Sequence, residues 1–223
     1  NCSSTAKKTE KNDNSRKPHT NLLNVGQIYQ KGDIRMNSSN EQVIFKDNFD
    51  GKLDEGWSWL RENSDRWRIQ NRGLEICVEP GAEDTVKNAL LRAAPDRAQS
   101  RFAIEVTVTN HSLPTQPYEQ AGITWYNDGK PVFKEVKELI NGELYIIPGK
   151  PPMSTKSVRL RLVVTANSWE AQYRPEGATE FQTAATGELP PPNNDQVSIQ
   201  CYHGPPDEEH WIRFEHFSIK QLS

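Results

Sequence analysis

Two neighbouring segments of the sequence carry polar side chains at spacings that would bring them onto one surface. In an extended strand, alternation puts Gln120, Thr124 and Tyr126 opposite an apolar row of alanine, isoleucine and tryptophan. The next extended segment puts Lys134 and Glu138 on one side. Such mixtures hold sugars, because sugar hydroxyls need planar donors and acceptors while sugar C–H faces stack on aromatic rings. We therefore interpret this surface as a binding face for carbohydrate.

Three further side chains are weaker candidates for the same face. Strict alternation after Gly56 would place Trp57 and Arg61 together, and a guanidinium there would bind a sugar hydroxyl or a carboxylate. Tyr145 belongs to a later strand-like segment and would supply another ring. Two alternatives stay open. Arg61 would instead cover an edge of the core, and the whole face would be an ordinary solvated sheet surface with cross-strand ion pairs.

Acid–base catalysis of glycoside hydrolysis requires two carboxyl groups on this surface. A retaining glycosidase uses two carboxyl groups about 5 Å apart, and an inverting enzyme holds them further apart around a water molecule. The carboxyl candidates are Glu119, Glu135, Glu138 and Glu143, of which only Glu138 shares the polar side, beside Lys134. We predict no catalytic residues, with a glycoside hydrolase or lyase as the alternative.

No cofactor is expected, and no cysteine has a neighbour at metal-ligand spacing. Oxygen ligands from Asp47, Asn48 and Asp50 would suit a structural Ca²⁺ ion. The favoured alternative is that these residues only shape the turn at Asp50 and Gly51.

The elements that must position these residues are β-strands. The clearest segment, 158–186, alternates apolar and polar residues and is broken by short turns at 166–168 and 174–177. This pattern predicts an antiparallel meander with one face turned to a core. About a dozen strand-like segments follow each other from residue 43 with hardly any helical period, which indicates an all-β sandwich of two antiparallel sheets.

Residues 1–40 and 41–223 differ in composition. The first forty residues are polar and hold seven Lys/Arg against three Asp/Glu, which predicts a largely flexible tether or linker. The remaining chain, predicted to be one sandwich domain, holds twenty Lys/Arg against twenty-seven Asp/Glu. A nucleic-acid partner is not expected, because phosphate binding needs a basic surface. No apolar run reaches membrane-spanning length, so no spanning segment is expected.

Three cysteines bear on cross-links and on location. Cys77 and Cys201 are expected to be small buried side chains, with a bridge between them as the alternative. Cys2 stands at the start of the polar tether, as a lipid-anchored cysteine would, although Asn1 precedes it. The sequence also starts without methionine, which favours export to the cell envelope or the extracellular space.

An ordered set of motifs resembles a known superfamily. The motifs are Phe45-Lys-Asp-Asn-Phe-Asp-Gly51, Trp57-Ser-Trp-Leu-Arg-Glu62, Trp67, Gly73-Leu-Glu-Ile76, Gln120-Ala-Gly-Ile-Thr-Trp125, Phe133-Lys134 with Glu138, and the hairpin from Trp169 to Phe181. Over most of the chain this set resembles the concanavalin-A-like lectin and glucanase sandwiches. More narrowly, it is similar to the uncharacterised regulation-of-enolase-like domain family and to the C-terminal sandwich domain of bacterial β-xylosidases. The resemblance implies a jelly-roll sandwich whose concave sheet can hold sugar, with no established chemistry of its own.

These features together predict a noncatalytic, lectin-like module that binds a glycan or polysaccharide. A protein-interaction or scaffolding domain is a third hypothesis, besides the hydrolase. The three differ in what they need: an exposed aromatic ring in a groove for a lectin, a second acid near Glu138 for an enzyme, and a flat apolar patch for a scaffold. The sequence leaves the sugar and the oligomeric state open.

Overall fold

The computed structural model describes residues 41–223, and the predicted tether over residues 1–40 lies outside this range. The described chain forms fourteen β-strands and one short 3-10 helix, Ser64–Arg66. The strands pair in an antiparallel sense and make two sheets. Among the described residues, no helix has the length and apolar character needed to cross a bilayer.

The larger sheet has eight strands. They are β1 (Gln42–Asp47), β3 (Trp67–Gln70), β4 (Gly73–Cys77), β6 (Arg101–Asn110), β10 (Ser157–Val164), β11 (Ser168–Pro175), β12 (Gln182–Glu188) and β14 (Trp211–Leu222). Seven lie side by side in the order β12-β11-β10-β6-β14-β4-β3, and β1 pairs with β14. The meander expected from the sequence is the run β10, β11 and β12, whose neighbours pair in register over most of their length.

The smaller sheet has six strands and carries the candidate face. They are β2 (Ser58–Leu60), β5 (Ala89–Ala93), β7 (Gln120–Asn127), β8 (Lys130–Ile140), β9 (Glu143–Ile147) and β13 (Gln196–Tyr202). Their spatial order is β2-β5-β13-β7-β8-β9, so β7 lies between β13 and β8.

One hydrophobic core lies between the two sheets, because alternate residues of each strand turn inward. The inward residues include Ile104, Val106, Leu160, Leu162, Phe214, Ile123, Trp125 and Ile199, all buried. Full burial of an aliphatic or aromatic side chain of this size stabilises a fold by roughly 1.5–3 kcal/mol. The expectation of an all-β sandwich of two antiparallel sheets is confirmed, and Cys77 and Cys201 are both buried and unpaired.

Two charged residues of β8 also turn inward. Glu135 lies opposite Ile123, and Lys137 lies opposite Ala121. Nζ of Lys137 donates hydrogen bonds of 2.6 and 2.9 Å to the carbonyl oxygens of Thr155 and Lys156, and burial lowers the pKa of Lys137 to about 8. Burial raises the pKa of Glu135 well above its usual value, and neither carboxyl oxygen has a hydrogen-bond partner in the described chain. Burial therefore favours the neutral form of this carboxyl group.

The outer face of the larger sheet is an ionic network centred on the buried Glu105. Its carboxylate accepts hydrogen bonds from Arg159 at 2.7 Å, from Arg161 at 2.8 Å and from Lys220 at 3.0 Å. Arg161 and Lys220 also bond to Glu41. Charges of both signs thus pair on this side of the sandwich, where Nε of Arg161 and the Ser218 hydroxyl have no hydrogen-bond partner among the described residues.

Candidate functional site on the six-stranded sheet

The outer face of the smaller sheet is a grid of side chains from three adjacent strands. Strand register fixes the rows, since residues directly opposite each other point to the same side. The rows across β13, β7 and β8 are Ser198, Thr124 and Lys134; then Gln200, Gly122 and Val136; then Tyr202, Gln120 and Glu138. We call this grid, together with the adjoining Tyr126, the polar face. It contains five of the residues that the sequence suggested.

The charged corner of the polar face is internally paired. Nζ of Lys134 donates a 2.7 Å hydrogen bond to Oε1 of Gln120 and lies 3.5 Å from Oε2 of Glu138. Nε2 of Gln120 donates to the carbonyl oxygen of Tyr118 at 2.8 Å. The expected contact between Lys134 and Glu138 is therefore present. The Lys134 side chain keeps 27% of its surface exposed, so this corner remains open to solvent.

The Gln200 side chain is oriented by two hydroxyl groups. Tyr126 donates to Oε1 of Gln200 at 2.9 Å, and Ser198 donates to the same oxygen at 2.7 Å. An amide oxygen has two lone pairs, so both are used. The Nε2 group of Gln200 is consequently the end of the amide that is left to bind something else.

Three buried polar groups of the polar face have no hydrogen-bond partner among the described residues. They are Oγ1 of Thr124, Nε2 of Gln200 and the hydroxyl of Tyr202. A buried polar group without a partner costs about 1–3 kcal/mol, and native proteins keep few of them. Each of the three is therefore a cost to the fold, and buried polar atoms without a partner also occur elsewhere in the described chain, among them atoms of Asn110, Arg161 and Ser218 on the larger sheet.

Gly122 lies between these groups and cannot be replaced without strain. A Cβ atom there would overlap the carbonyl oxygen of Glu135, so β7 carries no side chain at the centre of the grid. A Cβ atom would also lie 2.9 Å from Cδ1 of the core residue Leu160, so the glycine allows the close approach of the β8 backbone and of the core to β7.

Aromatic rings border the polar face. Tyr118 is 53% exposed, and its ring centroid lies 6.3 Å from that of His203. The His203 ring lies 5.3 Å from that of Tyr202, over which Nζ of Lys134 lies at 5.8 Å. Burial and the charge of Lys134 lower the pKa of His203, so its imidazole is uncharged at pH 7. Tyr118 supplies the exposed ring that a lectin needs.

Arg61 holds a loop at the other border of the face. Its guanidinium donates to the carbonyl oxygens of Val86 at 3.1 Å and Asp84 at 2.7 Å. Val86 packs in a small apolar cluster with Tyr126 and Tyr202. The structure thus places Arg61 beside the candidate site, where its donors serve the loop.

Trp57 and Tyr145 lie in different surroundings. Trp57 packs in the hydrophobic core, 4.8 Å from Phe217 by ring centroids, and the structure does not bring it to the polar face. Trp57 and Trp59 do share one face, as the alternation predicted, but this face is turned to the core. Tyr145 lies opposite Glu138 on β9, at the margin of the face, and donates a 2.6 Å hydrogen bond to Glu143.

The Asp47 carboxylate, considered above as a calcium ligand, is occupied by its own turn. It accepts hydrogen bonds from the backbone of Phe49 at 2.6 Å and Asp54 at 3.0 Å, and from Nε1 of Trp57 at 2.9 Å. Within residues 41–223, no group of three His, Cys, Asp or Glu residues is placed to hold a metal. The geometry supports turn formation, and the calcium site stays a prediction.

The remaining carboxyl candidates face away from Glu138 or serve other contacts. Glu119 is buried before β7, where its carboxylate lies 2.8 Å from Nδ1 of His210 and accepts a bond from the Thr115 amide. Glu135 points into the core, and Glu143 accepts the Tyr145 hydroxyl. The described residues therefore supply no hydrogen-bonded acid pair on the polar face.

Sequence reasoning missed the contribution of β13. Ser198, Gln200 and Tyr202 alternate with buried apolar residues, which a half-buried strand would show. The sequence does not predict that β13 pairs with β7, because 68 residues lie between the last residue of β7 and the first residue of β13.

No protein-family model and no curated protein sequence matches the chain. Solved structures do. The Bacteroides ovatus xyloglucan PUL GH43B protein superposes with a TM-score of 0.65 at 13% identity, over 79% of this chain and 39% of its own. The xylan β-1,4-xylosidase of Bacillus halodurans C-125 gives 0.60 at 14% identity, over 78% of this chain and 38% of its own. The CBM2 module of the Lactobacillus casei BL23 phage J-1 evolved Dit gives 0.50 at 8% identity, over 82% and 97%.

At these identities the likeness shows the fold alone. The chain spans about two fifths of the length of the first two proteins. The matches show that other proteins share this architecture of two packed antiparallel sheets, and the resemblance to concanavalin-A-like sandwiches stays a prediction. The narrower resemblance to regulation-of-enolase-like domains, and the jelly-roll connection of the strands, stay predictions.

Proposed function

We propose that this chain is a noncatalytic carbohydrate-binding module that takes up a glycan on its polar face. The observation that carries the proposal is the set of three buried polar groups without partners around Gly122. A saccharide supplies what these groups lack, because each sugar hydroxyl both donates and accepts and each ring oxygen accepts. These groups are shielded from solvent in the described structure, so binding would have to expose them and would then convert three unsatisfied groups into hydrogen bonds.

The surroundings of these groups also suit a sugar. Tyr118 and His203 offer aromatic surface at the border, where the C–H face of a pyranose stacks. Gln200 is oriented before any ligand arrives, since Tyr126 and Ser198 hold its oxygen. Such preorganisation lowers the ordering cost of binding. Gln120, Lys134 and Glu138 are the proposed contacts at the charged corner.

The structural comparisons agree with this proposal in kind. Two of the similar proteins are named for xyloglucan utilisation and xylan hydrolysis, and a third is named as a CBM2 module. They support a carbohydrate-related role by shared architecture only. A fold of this type also hosts other functions, so the site chemistry has to carry the assignment.

A glycan-array screen of the full 223-residue chain tests the proposal. We expect binding to at least one glycan, and about tenfold weaker binding by the Tyr202→Phe variant, which removes one partnerless hydroxyl. The matched control is Tyr173→Phe on the larger sheet, which should bind as the wild type does. A folded protein that binds no glycan would overturn the proposal. Release of shortened products from a bound polysaccharide would assign the chain to the hydrolases or lyases instead.

A further inference from the structure

We infer that the polar face selects uncharged saccharides and rejects acidic sugars such as uronic acids, with Glu138 as a specificity-determining residue; this rests on the proposed function. Recognition of a carboxylate requires a cation or several free donors that can replace its hydration. The two cations of the polar face and its border, Lys134 and Arg61, already contact a carboxylate, an amide or backbone carbonyl groups.

Lys134 is the one cation within the grid itself, and it is neutralised. Its ammonium group lies 3.5 Å from the Glu138 carboxylate and donates to Gln120. The Glu138 side chain is only 8% exposed, so water screens its charge poorly. A sugar carboxylate that approached Lys134 would therefore meet Glu138 as well, and the repulsion would oppose the attraction.

Two further charges of opposite sign act at the loop border, where they shift the pKa of Tyr126 in opposite directions. The carboxylate of Glu83 is close enough to the Tyr126 and Tyr202 hydroxyls to favour their protonated forms. Arg61 provides the opposite charge near Tyr126, but its guanidinium donates to two loop carbonyl oxygens. His203 adds no charge at pH 7, because burial and Lys134 hold it neutral.

The buried groups without partners are neutral dipoles. They are the Thr124 hydroxyl, the Gln200 amide nitrogen and the Tyr202 hydroxyl. Burial, Glu83 and Glu138 together raise the pKa of Tyr202, so its hydroxyl stays a donor over the physiological range. Neutral donors of this kind match sugar hydroxyls, ring oxygens and acetamido carbonyl groups. A carboxylate would lose its hydration here and regain no opposite charge.

Paired oligosaccharides test this selectivity directly. Hexasaccharides of glucose, mannose and galactose are each compared with their counterparts oxidised at C6 to the uronic acid, by calorimetric titration of the full chain at low salt. For every pair that binds, we expect the neutral member to bind at least about tenfold more tightly. In the Glu138→Gln variant, Lys134 is left without its carboxylate partner. We therefore expect the ratio of neutral-sugar affinity to acidic-sugar affinity to fall several-fold.

Glu188→Gln is the matched control, because it removes one exposed carboxylate from the larger sheet and changes the net charge equally. The ratio of neutral-sugar affinity to acidic-sugar affinity should be the same in Glu188→Gln as in the wild type. Equal or tighter binding of the acidic member by the wild type would overturn the selectivity and leave carbohydrate binding intact. An unchanged ratio in Glu138→Gln would overturn the role of that residue. If the folded protein bound none of the six oligosaccharides and no glycan on the array, the proposed function itself would be overturned.

Discussion

The Tyr126 hydroxyl donates a 2.9 Å hydrogen bond to Oε1 of Gln200 across the paired strands β7 and β13. With the second bond from Ser198, this contact leaves the amide nitrogen of Gln200 without a partner in the described chain. Oε1 of Gln200 is thus fixed by the fold, and we propose that Nε2 of the same amide binds the ligand. Rigid support of this kind is what a precise binding site needs.

Replacement of Tyr126 by phenylalanine should loosen that support. Without the Tyr126 hydroxyl, the Gln200 amide keeps only the bond from Ser198 and can reorient. We expect the affinity for the identified glycan to fall about five- to tenfold, because the amide must be ordered during binding. Calorimetric titration measures the change.

The control for this variant is Tyr173→Phe. Tyr173 donates an equivalent 2.9 Å hydrogen bond to Gln182, on the larger sheet. Both variants should lose about 1 kcal/mol of unfolding free energy. Only Tyr126→Phe should weaken glycan binding, and equal binding losses in the two variants would contradict a local role.

Arg61 should act on the binding face through its loop. Substitution by alanine removes the donors that hold the carbonyl oxygens of Val86 and Asp84. We expect faster amide hydrogen exchange over residues 82–88 in the free protein, measured by mass spectrometry. Arg174→Ala, which removes a similar bond to the carbonyl oxygen of Thr179, should leave this segment unchanged. Unaltered exchange in Arg61→Ala would indicate that the loop is held by other contacts.

The buried Glu105 should dominate the stability of the larger sheet. Burial alone would raise its pKa, but the hydrogen bonds and charges of Lys220 and Arg159 outweigh burial and hold the pKa below its usual value. Glu105→Gln leaves its cationic partners without that charge, so we expect a loss of about 3 kcal/mol in urea unfolding at pH 7. Glycan affinity should not change, since Glu105 lies on the opposite sheet.

The same residue gives a testable pH dependence. A carboxyl group with a lowered folded-state pKa contributes stability above its unfolded pKa and loses that contribution as the pH falls through the folded-state value. Wild-type stability should therefore drop more steeply below about pH 4.5 than that of Glu105→Gln. Parallel stability curves for the two proteins in acid would contradict this assignment.

Glu135 should produce the opposite pH dependence. Burial raises its folded-state pKa, so its neutral form contributes fully below the ordinary carboxyl pKa, and that contribution is lost as the pH rises toward the folded value. The free energy of unfolding of Glu135→Gln, minus that of the wild type, should grow between pH 5 and pH 8. Glu188→Gln, an exposed control, should show no such trend. A difference that is constant with pH would show that Glu135 is not held protonated by the fold.

The sequence was sufficient for the sandwich and for one half of the candidate site. Alternation alone placed Gln120, Thr124 and Tyr126 on one side of β7, and short-range order placed Lys134 beside Glu138. These inferences succeeded because side-chain direction in a strand depends only on its period of two.

The other half of the site depends on contacts between distant strands. Gln200 and Tyr202 join the face only through the pairing of β13 with β7, which a local pattern does not specify. Arg61 lies beside the face but turns its donors to the loop, because a positive φ of 52° just after a three-residue strand breaks the alternation with Trp57. Local periodicity describes strands, whereas the order of strands in a sheet is decided by the packing of the whole core.

Thr124→Val tests the functional reading of the polar face most directly, because folding and binding should respond with opposite signs. The Thr124 hydroxyl is buried and has no partner among residues 41–223, so its replacement by a methyl group should raise the free energy of unfolding by about 1 kcal/mol. The same change should weaken glycan binding about tenfold. Ser218→Ala, which removes a partnerless hydroxyl from the larger sheet, should leave glycan binding unchanged. Unchanged affinity in Thr124→Val, for a glycan that the wild type binds, would contradict a binding role for this face.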